Sequence, residues 1–407
     1  MNLKELAWKY ESPALFLKDK SFEHIFLKKA KGVYFWDQKG RKYMDMTSFF
    51  GVMNFGHSPD FIFKKKEFLI HGLGDVFSNV YRVKLAEKIS RMLGGSYQSI
   101  FLNTGSEACE IAVKTAYLCT GKPYIISFKN AYHGLSGISL SLTDRFQKKY
   151  FSPFLYKKIV RMPFPGDEVS ATKSLRNLKK ALKKYPVSSL ILEPIQGRGG
   201  IRFPPLFFLK ELKEICKSGD VILIFDEIFT GLGRTGKMFA HQWYNVKPDI
   251  VCIGKGIASG LPLSVCAGKR ELMNIWNKTE KETLYASTFS GNPFTCYVAL
   301  EVLKKLQNMD LNKEVISKGK TLLKELKVIE KKYGKIIKNV RGKGLLIGFD
   351  LKFAENIWKT LLFKHRTFTL LEGKNLNTIA LSPPFIINNS HIKEFIYKLE
   401  KILNKTI

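Results

Sequence analysis

Acidic residues are scarce in this chain: 35 Asp and Glu stand against 67 Lys and Arg in 407 residues, a formal charge of +32. The imbalance does not single out a nucleic-acid binder. Its lysines fall in short scattered clusters such as Lys64-Lys65-Lys66, Lys179-Lys180 and Lys331-Lys332, not on one arm or helix stripe. A generally basic surface that attracts anionic ligands is the plainer reading, and nucleic acid is not expected as a partner. Long apolar runs are missing too. No stretch approaches about 18 uninterrupted apolar residues, and the opening MNLKELAWKYESPAL mixes charged and apolar residues, so neither a membrane span nor an export signal is expected. Cysteine is sparse and unpatterned: Cys109, Cys119, Cys216, Cys252, Cys266 and Cys296 form no C-x-x-C pair. That argues for a reduced, cytoplasmic compartment and against a cysteine metal site; no metal is expected. Internal repeats and low-complexity linkers are absent as well, which excludes a solenoid.

What is present is the composition of a globule. Hydrophobic residues make up 45% of the chain, which excludes disorder as its main state. At about 150 residues per domain the length suits two or three domains that need no disulfide support. The middle of the chain alternates strand-like and helix-like segments, the pattern of an α/β domain. Short, nearly continuous apolar runs at Tyr124–Phe128, Ser188–Leu192, Val221–Phe225 and Asp249–Ile253 read as strands covered on both faces. Between the second and third, PPLFFLKELKEICKSG places Leu209, Leu212, Ile215 and Cys216 on one helical stripe, with proline at the start and Gly219 at the end. A strand, helix, strand crossover of this kind predicts a parallel sheet.

Beyond about residue 300 the texture changes to amphipathic helices (Tyr297–Leu306, Ser317–Lys332, His391–Leu403) with short strands at Leu345–Leu351 and Thr378–Leu381, a smaller α+β region. The pieces VYFWD and RKYMDM, separated by the Gly40 turn, are expected to pack with that C-terminal part. The expected division is residues 1–50 and 301–407 for the small region and 51–300 for the large one.

Ligands of an open parallel sheet bind beyond the carboxyl ends of its strands. There the chain carries Tyr132-His133-Gly134 after the first run, Glu193-Pro194 after the second, Asp226-Glu227 after the third and Gly254-Lys255-Gly256 after the fourth. Upstream, FLNTGSEACEIAVKTAYLC reads as a strand end, a tight Thr104-Gly105-Ser106 turn and a helix opening at Ser106 or Glu107, where free backbone N–H groups can hold a phosphate. A lysine, a ring-stacking aromatic, a buried acid and a phosphate turn together suggest pyridoxal 5'-phosphate, which has an aldehyde, a flat ring, a pyridine nitrogen and a phosphate to match them.

Eight stretches then resemble the class III (ω-amino-group) pyridoxal-phosphate aminotransferases: Asn103-Thr-Gly-Ser-Glu-Ala, Ala131-Tyr-His-Gly, Glu193-Pro-Ile-Gln-Gly-Arg-Gly-Gly, Asp226-Glu-Ile-Phe-Thr-Gly-Leu-Gly-Arg-Thr-Gly, Pro248-Asp-Ile, Gly254-Lys-Gly with Gly260-Leu-Pro-Leu-Ser, Ser287-Thr-Phe-Ser-Gly-Asn-Pro and Val340-Arg-Gly-Lys-Gly-Leu. They occur in the family's order and span most of the chain. The resemblance implies a fold-type-I α/β architecture, with a large domain on a mostly parallel, seven-stranded-type sheet, a small α+β domain from both chain ends, and a homodimer with shared sites. It implies that Lys255 carries the cofactor and shuttles the reaction's proton. Asp226 pairs with the pyridine nitrogen, Tyr132 stacks on the ring, Gly105 and Ser106 hold the phosphate, and Thr288 reaches the phosphate from the partner subunit. Glu193 belongs to the same cofactor-site set, His133 is expected merely to pack nearby, and Arg234 to be structural. Phe229 stands where several members carry a glutamine beside the cofactor's phenolic oxygen.

Two departures bear on substrate. Members acting on ornithine, acetylornithine and glutamate carry two substrate arginines at positions that here read Leu135 and Ala380, and an apolar side chain cannot replace a guanidinium fork. Glu193, usually partnered by the second arginine, then needs another cation, and Arg198 is the nearest in sequence. Arg198 is also the candidate anchor for a substrate carboxylate. The expected activity is transfer of an amino group from an ω-amine or amino acid, 4-aminobutyrate-like or diamine-like, to a keto acid. The competing readings are an acetylornithine/ornithine-type aminotransferase, an aminomutase or racemase of the same fold, and a nucleic-acid-binding protein on an inactive fold, which the presence of Lys255 and Asp226 opposes.

Overall fold

In the computed structural model, which describes residues 3–12, 25–63, 69–72, 74, 76–277 and 283–406, seven strands form the central sheet. Their spatial order is Tyr97–Leu102, Ser264–Lys269, Ile250–Ile253, Ile222–Asp226, Val187–Leu192, Tyr124–Phe128 and Ile159–Met162. Ser264–Lys269 runs antiparallel to both its neighbours, and the remaining pairs are parallel. Every residue of Val187–Leu192, Ile222–Asp226 and Ile250–Ile253 is buried, which is why those runs are nearly continuous in apolar residues and do not alternate with exposed polar ones.

Helices cover both faces. On one, Gly105–Thr120 lays Ala108, Cys109, Ala112 and Ala116 against Ile191, Ile224 and Cys252. On the other, Glu168–Lys184 and Leu206–Ser218 pack Leu175, Leu178, Leu209 and Leu212 against Leu190, Leu223 and Phe225. Each such side chain removed from water contributes roughly 1.5–3 kcal/mol. The predicted crossover helix is bounded by Pro205 and Gly219, as its punctuation implies.

The C-terminal region forms a four-stranded antiparallel sheet in the order Ile337–Lys343, Leu346–Leu351, Thr378–Leu381, Leu370–Glu372. A second sheet joins Leu27–Lys31, Tyr34–Asp37 and Lys42–Asp45 to Thr367–Phe368, with Met44 opposite Thr367, so the two chain ends do pack together. Two of the C-terminal helices begin earlier than apolar periodicity indicates, while the third, Lys318–Lys332, begins within one residue of its expected start. Asn292 caps one that opens on Pro293, and Asn388 caps another that opens on Asn389, because capping is done by polar residues outside the apolar stripe. Among the described residues no helix is long and apolar enough to cross a membrane. The Lys64-Lys65-Lys66 cluster lies outside the described residues.

Arg234 is buried where these regions meet. Its guanidinium donates to the carbonyls of Leu345 (3.2 Å) and Pro383 (2.5 Å), to Ser48 Oγ (3.1 Å) and to Asn54 Oδ1. Three distant segments are thereby tied together, which bears out its structural reading.

Candidate active site

The parallel strands deliver their following residues to one cavity of about 360 Å³. Gly105, Ser106, Tyr132, Glu193, Arg198, Asp226 and Lys255 all line it, along with His133, Phe229 and Ile228. Of the residues expected there, only Thr288 is elsewhere; it is exposed on a turn.

Thr104 caps the helix Gly105–Thr120 in a reciprocal box, accepting from Glu107 N while Glu107 Oε2 accepts from Thr104 N at 2.7 Å. The helix therefore opens one residue earlier than its sequence suggests. As first-turn groups, the N–H of Gly105 and of Ser106 have no intrahelical acceptor and line the cavity, an arrangement that can hold a phosphate. The floor of this cradle is tight at two glycines, and at Gly134 both the backbone conformation and the close approach of Ser106 favour glycine. A Cβ on Gly105 would lie 2.8 Å from Ile228 Cδ1, and one on Gly134, at φ +119, would lie 2.9 Å from Ser106 Cα.

Asp226 ends its strand with both oxygens occupied. Oδ1 accepts from Ile228 N (3.1 Å), and Oδ2 accepts from His133 Nδ1 (2.8 Å) and Cys109 Sγ (3.4 Å). His133 is thus more than packing. Burial opposes its charge, but hydrogen bonds to Asp226 and Cys109 outweigh that and raise its pKa to about 10. Cys109, His133 and Asp226 bring their ligating atoms within 4.8 Å of one another, and Asp226 Oδ2 accepts from both of the others. Glu227, next in sequence, does a different job. It accepts from Ala240 N (3.0 Å), His241 N (2.8 Å) and Thr230 Oγ1 (2.5 Å), pinning the following loop.

Lys255 follows its strand at φ +48, a left-handed conformation that a non-glycine residue adopts at a cost of about 1–3 kcal/mol and that is typical of functional positions. Its ammonium lies 4.3 Å from the Phe229 ring centroid, and burial lowers its pKa, favouring the neutral amine that nucleophilic and proton-transfer chemistry needs.

The structure corrects one expectation. Arg198 is not the partner of Glu193: its Nε reaches Glu372 at 3.2 and 3.3 Å. Arg145 lies 3.6 Å from the same carboxylate and donates to the Arg198 carbonyl at 2.8 Å. The Arg198 guanidinium sits 4.8 Å from the Tyr132 ring centroid. Glu193 accepts instead from Tyr132 N (3.0 Å) and Gly197 N (2.8 Å), and burial raises its pKa to about 7. Arg145 and Glu372 are not legible in the sequence because nothing in SLTDRFQKKY or LFKHRTFTLLEGKN marks them locally. Ala380, at the absent arginine's position, packs with Ile195, Ile201, Leu346 and Leu370, while Leu135 is 40% exposed.

The glycine cradle, the buried acid Asp226 and the half-buried Lys255 on one cavity fit pyridoxal phosphate. The aminotransferase class-III profile matches residues 17–403. The chain is 34% identical over 394 residues to the acetylornithine/succinyldiaminopimelate aminotransferase of Buchnera aphidicola subsp. Acyrthosiphon pisum, covering 93% of this chain and 92% of that protein. It is 35% identical over 398 residues to the ornithine aminotransferase of Halalkalibacterium halodurans, covering 93% and 94%. A solved Bacillus anthracis aminotransferase superposes at a TM-score of 0.87 with 27% identity, over 100% of both chains. With its fold, its cavity and its relatives in agreement, the chain belongs to the class-III aminotransferases and is a pyridoxal-phosphate-dependent aminotransferase.

Proposed function

We propose that the enzyme moves an amino group from an ω-amine or amino acid, 4-aminobutyrate-like or diamine-like, to a keto acid. The observation that carries this reading is the company Lys255 keeps: a half-buried lysine on the same cavity as a buried, hydrogen-bonded acid and a phosphate cradle, with Leu135 and Ala380 where a dicarboxylate clamp needs arginines. When bound, the cofactor supplies an aldehyde carbon that takes and returns an amino group and a ring that accepts electrons. Gly105 and Ser106 hold its phosphate through backbone N–H groups, and Tyr132 covers its ring. Asp226 holds a proton at the pyridine nitrogen, and His133 and Cys109 orient that carboxylate. Lys255 anchors the cofactor and, once freed by substrate, moves the proton at the reacting carbon through its Nζ. Arg198, released from Glu372, meets the carboxylate of the acid partner.

The same reading makes the enzyme a cytoplasmic homodimer. Supporting it, Phe63, Ile70, Phe77, Val80 and Phe289 are large exposed apolar side chains; Phe63 stacks on Phe294 at 6.1 Å, and Phe289, next to Thr288 in the chain, meets His71 at 5.7 Å. Thr288 then supplies a phosphate contact to the partner's site. A second reading, acetylornithine or ornithine exchange with 2-oxoglutarate, is favoured by the names of the relatives and opposed by the two missing arginines.

An absorbance-monitored panel of amino donors on the yellow holoenzyme tests the first reading, since any competent donor bleaches the cofactor band. Bleaching by ω-amines and release of the matching carbonyl product support transamination; efficient N-acetylornithine/2-oxoglutarate exchange with no ω-amine activity overturns the substrate assignment. Interconversion of one substrate without exchange would indicate a mutase or racemase.

A further inference from the structure

Among the described residues, Glu193 is a carboxylate with no ion-pair partner. Only 5% exposed, it stands just past the strand Val187–Leu192 and lines the cavity that Lys255 enters. Its two oxygens accept one backbone N–H each, from Tyr132 and Gly197, which leaves lone pairs to spare on both. Among the described residues no lysine or arginine lies within ion-pair distance of it. The nearby cations are engaged elsewhere: Arg198 and Arg145 with Glu372, and His133 with Asp226. Nor can a cation enter from position 380, where Ala380 is sealed among Ile195, Ile201 and Leu346. A buried carboxylate in this condition gains from any cation that reaches it, and burial, with the nearby Asp226 charge adding to it, raises its pKa to about 7. The rest of the wall is apolar where a hydrocarbon chain would run, at Val52, Phe229 and Leu261.

We propose that Glu193 receives the second, non-reacting ammonium of the amino donor, so that an aliphatic diamine is preferred over a monoamine of the same length. The proposal rests on the ω-amine reading above and narrows it to one donor class. The reacting amine approaches Lys255, the methylenes lie along the apolar wall, and the distal ammonium donates to the free lone pairs of Glu193. The acid partner of the other half-reaction uses a different group, Arg198, so the two substrates need not share a receptor.

The experiment compares putrescine with n-butylamine, alike in length and differing in the second ammonium. For the wild-type holoenzyme, kcat/KM for putrescine is expected to exceed that for n-butylamine by about tenfold or more, the scale of one charge-assisted hydrogen bond. In Glu193→Gln that ratio falls about tenfold, whatever loss the two amines share from a disturbed Tyr132 loop. A purely structural Glu193 would lower both alike and leave the ratio unmoved. Calorimetric binding of both amines to borohydride-reduced holoenzyme, which cannot turn over, should show the same preference and its loss in the variant. If Glu193→Gln does not fold, the wild-type ratio still decides. Comparable use and binding of both amines overturns the proposal while the ω-amine reading stands. Failure of both amines alongside efficient N-acetylornithine exchange overturns the two together.

Discussion

Asp226 ends, and Lys255 follows, two neighbouring parallel strands, Ile222–Asp226 and Ile250–Ile253, whose backbones are hydrogen-bonded to each other. Arg198 instead finds its partner, Glu372, 174 residues away, and Arg145 joins them from a third part of the chain. The first arrangement is set by the sheet: once the strands pair, the residues just past them must meet at one edge. The second depends on where loops are carried by the packing of the C-terminal region against the central sheet. Chemistry common to a family is therefore held by the rigid part of the molecule, and substrate choice by the part that can vary without disturbing the sheet.

If that contrast is right, damage on the sheet side abolishes turnover and damage on the loop side retunes it. The largest effect is expected at Lys255, where Lys255→Ala should lose transamination altogether while keeping its oligomeric state in gel filtration; undiminished turnover would remove Lys255 from the mechanism. The sheet side also extends across the proposed dimer. Lys255→Ala and Thr288→Ala chains, each impaired alone, should regain partial activity in a verified mixed dimer, because one of its two sites then has both residues intact. No recovery would mean that the sites are not shared.

Asp226→Asn keeps the shape and removes the charge, and should cost roughly two or more orders of magnitude in kcat, the usual scale of a positioned electrostatic contact. A variant with normal cofactor affinity and unchanged kcat would assign the pyridine nitrogen's partner elsewhere. On the loop side, Arg198→Ala should raise KM for the keto acid about tenfold and change KM for a simple amine little, the signature of lost uniform binding. Equal shifts for both substrates would indicate that leaving Glu372 without its nearest cation has disturbed the whole pocket.

The smallest effect is on stability. His133 has its pKa raised to about 10 from 6.5, so the folded protein holds its proton more tightly than the unfolded chain. That contribution is complete below pH 6.5 and is lost as pH rises through about 10, at most a few kcal/mol. Urea unfolding should show wild-type stability falling over that window, with the slope reduced in His133→Asn. Parallel slopes for the two proteins would show that the His133–Asp226 contact carries no net linkage.

The apolar runs at Tyr124–Phe128 and Val221–Phe225, the crossover helix between Pro205 and Gly219, and the positions of Asp226 and Lys255 are all readable along the chain. Burial on both strand faces and helix periodicity leave their mark within a few residues. Helix starts were less legible, because Asn292 and Asn388 act through a single capping hydrogen-bond acceptor outside the apolar pattern. His133 was visible as a residue, but its hold on Asp226, 93 positions away, was not.

Local pattern thus determined the layers of the fold, the edge of the sheet where chemistry happens and the cofactor that edge suits, since each follows from which residues must leave water. Tertiary structure alone decided that Arg198 pairs with Glu372 and that, among the described residues, no lysine or arginine stands within ion-pair distance of Glu193 on the cavity wall. The Arg198–Glu372 ion pair joins a loop to the end of the strand Leu370–Glu372 and depends on the relative placement of three chain segments, and no periodicity within any one of them encodes that distance.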